Sequence, residues 1–307
     1  MEKRYQSAYG TRAAARRRLR IYATDPMSGR RSPYRITIDI DNEPELGEGP
    51  RGSILEVWDR DGAHNCYYAP VDLNHEALLM EAGLAPSESD PRFHQQMVYA
   101  VAMKVVESAR RALGRPIDFY RSKSRPRLKL IPHAFYGANA FFDKSLNAIL
   151  FGYFQASRET PGPNLPGQNV FTCLSHDVIA HEMTHAIVNR LRPYFLEPTN
   201  KDVLAFHEAF SDIVALFQRF SYHELLVEYV QSSGARLEDA SGLVGLAQQV
   251  GYATGGGKAL RSAIGTKDDP KAILRTFEPH HRGAILVSAV FDGYFRFKAL
   301  GPPRELH

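Results

Sequence analysis

Apolar residues recur with two different periods along the chain, and these periods predict both strands and helices. Residues 35–40 and 53–58 alternate apolar and polar side chains, which is typical of strands in a partly exposed sheet. Between residues 90 and 114 the apolar positions recur at helical spacing, after an Asp-Pro start and before a glycine. Residues 128–132 and 148–154 indicate further strands. The first half of the chain is therefore predicted to combine a sheet with one long helix.

The second half is predicted to be mostly helical. Residues 159–168 are rich in proline and glycine, which indicates a loop that could line a cleft. Strong helical periodicity follows over residues 178–191 and 203–220, and glycines such as those at 255–257 interrupt the remainder.

Composition narrows the class of protein. The chain has 307 residues, a formal charge of +4 and only two cysteines, Cys66 and Cys173, which lie far apart. A disulfide framework is therefore not expected. The sequence shows neither the apolar core of a secretory signal nor the roughly 20 apolar residues that span a bilayer. We expect a soluble protein without a membrane partner, cytoplasmic as the sequence is written.

Much of the positive charge lies in the first 33 residues, especially between Arg12 and Arg20. Residues 1–33 are predicted to form a basic arm whose order the sequence leaves open. A basic arm of this kind could contact nucleic acid, but a solvated tail is the favoured interpretation, and nucleic acid is not an expected partner.

The motif His181-Glu-Met-Thr-His185 is the main chemical signal. Residues four apart lie on one face of a helix, so His181 and His185 can direct two imidazoles at one metal ion, with Glu182 beside it. The alternative is a solvated helix face without a ligand, because such a string also occurs by chance.

The next predicted helix supplies two carboxylates, Glu208 and Asp212, which are also four residues apart. Two histidines and one glutamate form a standard ligand set for catalytic zinc, with one position kept for water. Glu208 is the predicted third ligand. Asp212 is predicted to accept a hydrogen bond from the far nitrogen of a ligand histidine.

The segment from His176 to Ala186, followed by Glu-Ala-Phe-Ser-Asp at residues 208–212, resembles the thermolysin-like family of zinc metallopeptidases, the gluzincins. The resemblance covers about residues 67–297. It implies a two-lobed α+β enzyme with a β-rich N-terminal lobe over residues 34–192, which ends in the His-Glu-x-x-His helix. A helical C-terminal lobe follows over residues 193–307, with one zinc ion in the cleft and a peptide or protein as substrate.

The same resemblance implies roles for residues outside the metal motif. Gly137-Ala-Asn-Ala-Phe-Phe142 is similar to the family's edge strand, in which Asn139 and Ala140 would hold an extended substrate. Arg261 would bind the substrate carbonyl on the leaving-group side, and His280, favoured over His281, would stabilise the transition state. The resemblance also makes Tyr194 the candidate for the oxyanion-stabilising tyrosine. It places Val178 and Leu260 in the lining of an apolar pocket.

The sequence also departs from the family's pattern. The family's calcium site begins at Asp177, but its second carboxylate is replaced here by Arg219. We therefore expect an Asp177–Arg219 ion pair and no double calcium site. His207 replaces the usual asparagine before the third ligand. We expect it to be either a core residue or a neighbour of the ligands.

The helical lobe is shorter than in the family, so a partner or a second copy could cover apolar surface there. Two alternatives to a peptidase remain at this point. One is an inactive zinc-binding interaction protein, and the other is a nucleic-acid-associated protein that uses residues 12–20.

Overall fold

The computed structural model describes residues 15–28, 34–119, 127–232, 245–256, 261–262, 271 and 274–299. The helices in these ranges are α1 (Glu76–Met80), α2 (Pro91–Leu113), α3 (His176–Leu191), α4 (Lys201–Phe220), α5 (His223–Ser232), α6 (Gln248–Ala253) and α7 (Pro279–Ala299). The strands are β1 (Arg16–Tyr22), β2 (Arg35–Asp41), β3 (Leu55–Val57), β4 (Arg60–Asp61), β5 (Cys66–Tyr67), β6 (Leu128–Tyr136), β7 (Ala140–Asp143), β8 (Ala148–Gln155), β9 (Asn169–Phe171), β10 (Gly245–Leu246) and β11 (Arg261–Ser262). The α+β prediction is confirmed.

The main sheet has the strand order β3-β6-β8-β7, and β9 also pairs with β8. Strands β3 and β8 run parallel to β6, whereas β7 and β9 run antiparallel to β8. Among the described strands, β7 pairs with β8 alone, so its other edge is open to pairing. An exposed strand edge of this kind can bind an extended peptide.

The segment predicted as a basic arm contains strand β1, so that prediction is wrong for its described part. Strand β1 pairs antiparallel with β2 along its whole length, from Arg16 opposite Asp41 to Tyr22 opposite Arg35. Its side chains alternate between exposed and buried positions, and Leu19 and Ile21 are among the buried ones. Arginine stems can cover apolar surface while the guanidinium groups bind polar partners, so an arginine-rich segment can form a strand.

Helix α2 is the longest helix described and confirms the prediction over residues 90–114. The Asp90 side chain caps its N-terminus by accepting a hydrogen bond from the Arg92 amide at 3.0 Å, and Pro91 follows at the first helical position. The helix ends at Gly114, whose φ of 64° is left-handed. It packs against β1, β2, β3, β6 and α3.

Helices α3 and α4 pack against each other, and α4 also packs against α7. Asn200 begins α4 by accepting hydrogen bonds from the amides of Asp202 and Val203. One hydrophobic core includes residues from β1, from the main sheet and from all three of these helices. Among the described residues, the helices are too short or too polar to cross a bilayer.

The predicted ion pair between Asp177 and Arg219 is confirmed. Arg219 Nε donates to Asp177 Oδ1 at 3.1 Å, and Arg219 Nη2 contacts Asp177 Oδ2. Arg219 Nη1 also donates to the carbonyl oxygen of Gly245 at 2.9 Å. Both side chains are buried. The pair therefore joins α3 to α4 and to the segment that enters α6.

Candidate metal centre

A cavity of about 850 Å³ lies between β7, α3, α4 and the first turns of α7. Predicted site residues form much of its wall: Asn139, Ala140, Val178, His181, Glu182, His185, Glu208, Asp212 and His280. The fold therefore brings together residues that are separated by up to 141 positions in the sequence, from Asn139 to His280.

The three predicted ligands meet at one point of this cavity. His181 Nε2 lies 3.1 Å from Glu208 Oε2, and His185 Nε2 lies 3.6 Å from Glu208 Oε1. The two histidines occupy successive turns of α3, and Glu208 reaches them from the neighbouring helix α4. A single ion can therefore be reached by two imidazole nitrogens and one carboxylate, which is a ligand set of catalytic zinc sites.

Asp212 supports the first ligand in the way that the sequence predicts. Its Oδ1 lies 2.7 Å from His181 Nδ1, and both side chains are buried. A carboxylate only accepts hydrogen bonds, so His181 donates its Nδ1–H and keeps the lone pair of Nε2 for a metal.

We expect Asp212→Asn to weaken zinc binding by about 10- to 100-fold. The carboxylate fixes the tautomer and orientation of His181, and the amide of the variant no longer does so. Competition with a fluorescent chelator measures the affinity. Glu224→Gln, which neutralises an exposed carboxylate on α5, is the matched control. Equal affinities in the two variants would contradict this role of Asp212.

His207 contacts the second ligand from the far side. His207 Nδ1 lies 2.5 Å from His185 Nδ1, and Ser211 Oγ lies 3.1 Å from the same atom. His185 can donate its Nδ1–H to His207 and keep Nε2 toward Glu208. His207 therefore neighbours the ligand set, which is one of the two roles expected for it.

Glu182 lies beside the two histidines, with ligand atoms of all three residues within 4.8 Å of one another. Its Oε2 accepts a hydrogen bond from the backbone amide of Phe142 at 3.1 Å. Because Phe142 belongs to β7, the Glu182 carboxylate is held against the edge strand, beside His181 and His185.

His280 reaches the same carboxylate from the start of α7. Its Nδ1 lies 2.9 Å from Glu208 Oε2, and its side chain remains partly exposed to the cavity. Glu278 accepts hydrogen bonds from the amides of His280 and His281, and Pro279 occupies the first helical position. His281 Nδ1 instead lies 3.5 Å from Glu278 Oε2 and is more exposed, which agrees with the choice of His280.

The electrostatics favour a divalent cation. Burial and the neighbouring charge of His181 lower the pKa of His185 to about 4, although Glu208 opposes the shift. Burial alone would raise the pKa of Glu208, but contacts with His181, His185 and His280 hold it well below its usual range. At neutral pH His185 is therefore neutral and Glu208 is ionised, which are the states that bind metal.

The structure does not bring one residue named from the resemblance to the site, and two others stay predictions. Tyr194 lies in the 3-10 turn Pro193–Leu196, is 75% exposed and is not among the residues that line the cavity. The structure therefore does not bring it to the site. Leu260 lies outside the described residues. The backbone of Arg261 pairs with Leu246, a cavity residue, but its side chain also lies outside the described part.

The structure adds residues to the site that the sequence did not single out. The amide of Phe142 and the carboxylate of Glu278 were missed because their roles come from a strand edge and a helix start. The further cavity residues are Ala138, Phe141, Thr172, Leu196, Leu204, Leu246, Val250, Ala284 and Val287. Glu278 could have been found from the sequence, since an acidic residue before Pro-His-His is a helix-start signal.

Comparison with known proteins adds nothing to this geometry, because no family model matches the chain and no curated protein matches its sequence. The assignment of function therefore depends on the residues themselves.

Proposed function

We propose that this protein is a zinc-dependent endopeptidase of the thermolysin-like kind, with its site in a cleft between a β-rich and a helical lobe. The observation that carries the proposal is the convergence of His181 Nε2 and His185 Nε2 on the two carboxylate oxygens of Glu208. His181, His185 and Glu208 would hold one zinc ion.

The residues present fit such an ion. The Glu208 carboxylate lies among three imidazoles: His181 Nε2 and His280 Nδ1 are 3.1 and 2.9 Å from its Oε2, and His185 Nε2 is 3.6 Å from its Oε1. The ring nitrogens that face away from Glu208, Nδ1 of His181 and Nδ1 of His185, contact Asp212 and His207. Metal-ligand histidines are usually held by such a partner.

Zinc bound at this point would lower the pKa of a bound water to about 7 and polarise the scissile carbonyl. Glu182 would accept a proton from water and transfer it to the departing amine, since its carboxylate is anchored beside His181 and His185 by the Phe142 amide. His280 stands at the N-terminal end of α7, where an imidazole and the helix dipole both favour a developing negative charge.

Strand β7 provides the means to orient a peptide. A substrate chain would add to its open edge, with Asn139 and Ala140 at the start of the strand and Phe142 next to Glu182. Val178, Leu246 and Val250 line the same cavity, so we expect a preference for apolar side chains beside the cleaved bond. By resemblance, Leu260 and Arg261 would belong to the same part of the site.

The experiment is turnover of a quenched peptide library by the purified chain, followed by chelation and readdition of metal. We expect cleavage that the chelator abolishes and that zinc, but not magnesium, restores, because a site of two imidazoles and one carboxylate prefers zinc. Bound zinc without turnover of any library peptide would instead support the inactive zinc-binding protein.

A further inference from the structure

A second group of side chains that could hold a metal ion lies beside a different cleft. His94 in α2, His133 in β6 and Cys173 in the 3-10 turn Thr172–Leu174 are all buried, and their ligand atoms lie within 4.8 Å of one another. We call these three residues the His-His-Cys cluster. A cleft of about 550 Å³ reaches both histidines and is separate from the cavity of His181 and Glu208.

In each histidine, the ring nitrogen that faces away from the other histidine, called the outward nitrogen, donates to an oxygen atom. His133 Nδ1 lies 2.6 Å from Asp59 Oδ1, and Gln95 Nε2 holds the other oxygen of this carboxylate at 2.9 Å. His94 Nε2 lies 3.2 Å from the backbone oxygen of Glu88. Because a carboxylate and a carbonyl oxygen only accept hydrogen bonds, each histidine carries its hydrogen on the outward nitrogen.

Consequently, the inward nitrogens of two neutral histidines both present lone pairs. These atoms, His94 Nδ1 and His133 Nε2, lie only 2.8 Å apart. Two lone pairs at this distance repel, so either an additional proton or a metal ion must lie between them. The choice between the two depends on the third member of the cluster.

The third member of the cluster favours a metal ion over a shared proton, because the ligand atoms of all three buried residues lie within 4.8 Å of one another. A shared proton would leave no role for Cys173, whose sulfur completes the triangle. Two imidazoles and one thiolate are ligands of zinc and copper sites.

The local structure aims these side chains at one point. The register between β6 and β8 shifts between Ile131 and Phe135, so His133 lies in a bulge, a feature that redirects side chains. Cys173 is fixed in the turn that precedes α3, and His94 projects from the first turn of α2. The cluster therefore depends on three separate elements that the fold brings together.

We infer that His94 Nδ1, His133 Nε2 and Cys173 Sγ form a second transition-metal site of the zinc class. Metal–nitrogen and metal–sulfur bonds of about 2.05 and 2.3 Å in a tetrahedron would set the two nitrogens roughly 3.3 Å apart, so the histidines separate by about half an ångström on binding. Asp59 and the Glu88 carbonyl hold the imidazoles from behind. Because the cleft reaches both histidines, a fourth position could take water or a small ligand from it.

Binding has a defined proton balance. Burial raises the pKa of the Cys173 thiol well above its usual value, so the sulfur is protonated when no cation is near. Metal binding replaces this proton, which leaves to solvent, and forms the metal–sulfur bond without any change in oxidation state. The bound ion would join α2, the β6 bulge and the turn that leads into α3.

Cobalt(II) is the probe, because thiolate ligation to this ion produces a charge-transfer absorption in the near ultraviolet that imidazole and carboxylate ligands do not produce. We expect the metal-free chain, titrated under reducing conditions, to bind two ions and to develop this band. In Cys173→Ala the band should disappear and the stoichiometry should fall by one ion. Cys66→Ser, which changes the exposed cysteine, should retain both.

The variant His181→Ala/Glu208→Ala separates this inference from the proposed peptidase site. It should lose the ion that lacks the thiolate band and keep the ion that has it. A wild-type chain that develops no thiolate band would overturn the inference without any variant. Binding of a single thiolate-ligated ion would retain this site and reject the peptidase site. If Cys173→Ala does not fold, His94→Gln tests the same site, because it should weaken the band while leaving both cysteines in place.

Discussion

Glu182→Gln should retain its zinc and lose peptide turnover by about 10²- to 10⁴-fold, the range that a positioned general base contributes. The amide oxygen of glutamine can still accept the hydrogen bond from the Phe142 amide, so the side chain keeps its place beside the histidines. It can no longer take a proton from water. Turnover of a quenched peptide together with elemental analysis of the purified variant measures both properties.

Glu208→Gln is the matched comparison, because it makes the same chemical change at a predicted ligand. Glu208 contacts both His181 Nε2 and His185 Nε2, so loss of its charge should weaken zinc binding first and activity only as a consequence. Excess zinc should partly restore this variant and should not restore Glu182→Gln. Equal metal loss in the two variants would show that the roles of the two glutamates are assigned incorrectly.

The convergence of residues at the candidate metal centre was largely predictable because its information is local. The spacing of His181 and His185 places both imidazoles on one helix face, whatever the remaining fold does. Glu208 and Asp212 repeat this spacing on the next helix, and the structure brings the two helix faces together. Helix α2 was predictable for a similar reason, since its start and end signals stand at its observed boundaries.

The His-His-Cys cluster was not predicted, because nothing local marks it. His94 and His133 are 39 residues apart and lie in a helix and in a strand bulge. Their meeting depends on how α2 packs across β6, and sequence periodicity does not determine such packing. Strand β1 was missed for another reason: its arginines suggested a solvated tail, whereas Arg17 is buried and donates to the Leu73 carbonyl at 2.5 Å.

Arg219→Met should destabilise the fold by about 3–5 kcal/mol at neutral pH, the cost of breaking a buried ion pair by removing one partner. Asp177 would remain ionised and buried, and Gly245 would lose the hydrogen bond that joins its segment to α4. Urea unfolding with zinc held at a fixed concentration measures the change. The double variant Asp177→Asn/Arg219→Met should recover part of the loss, since it removes the uncompensated charge.

The pH dependence provides a separate check on the cause of this loss. In the wild type, burial would raise the pKa of Asp177, but the Arg219 charge lowers it below the usual value. The pair's stabilisation is therefore complete above the unfolded pKa of about 3.9 and is lost as the pH falls through the lower folded value. In Arg219→Met burial raises that pKa, and the nearby Asp25 shifts in the same direction. The variant's deficit in free energy of unfolding should therefore shrink as the pH falls from 7 toward about 4. A deficit that is independent of pH would instead indicate lost packing of the arginine side chain.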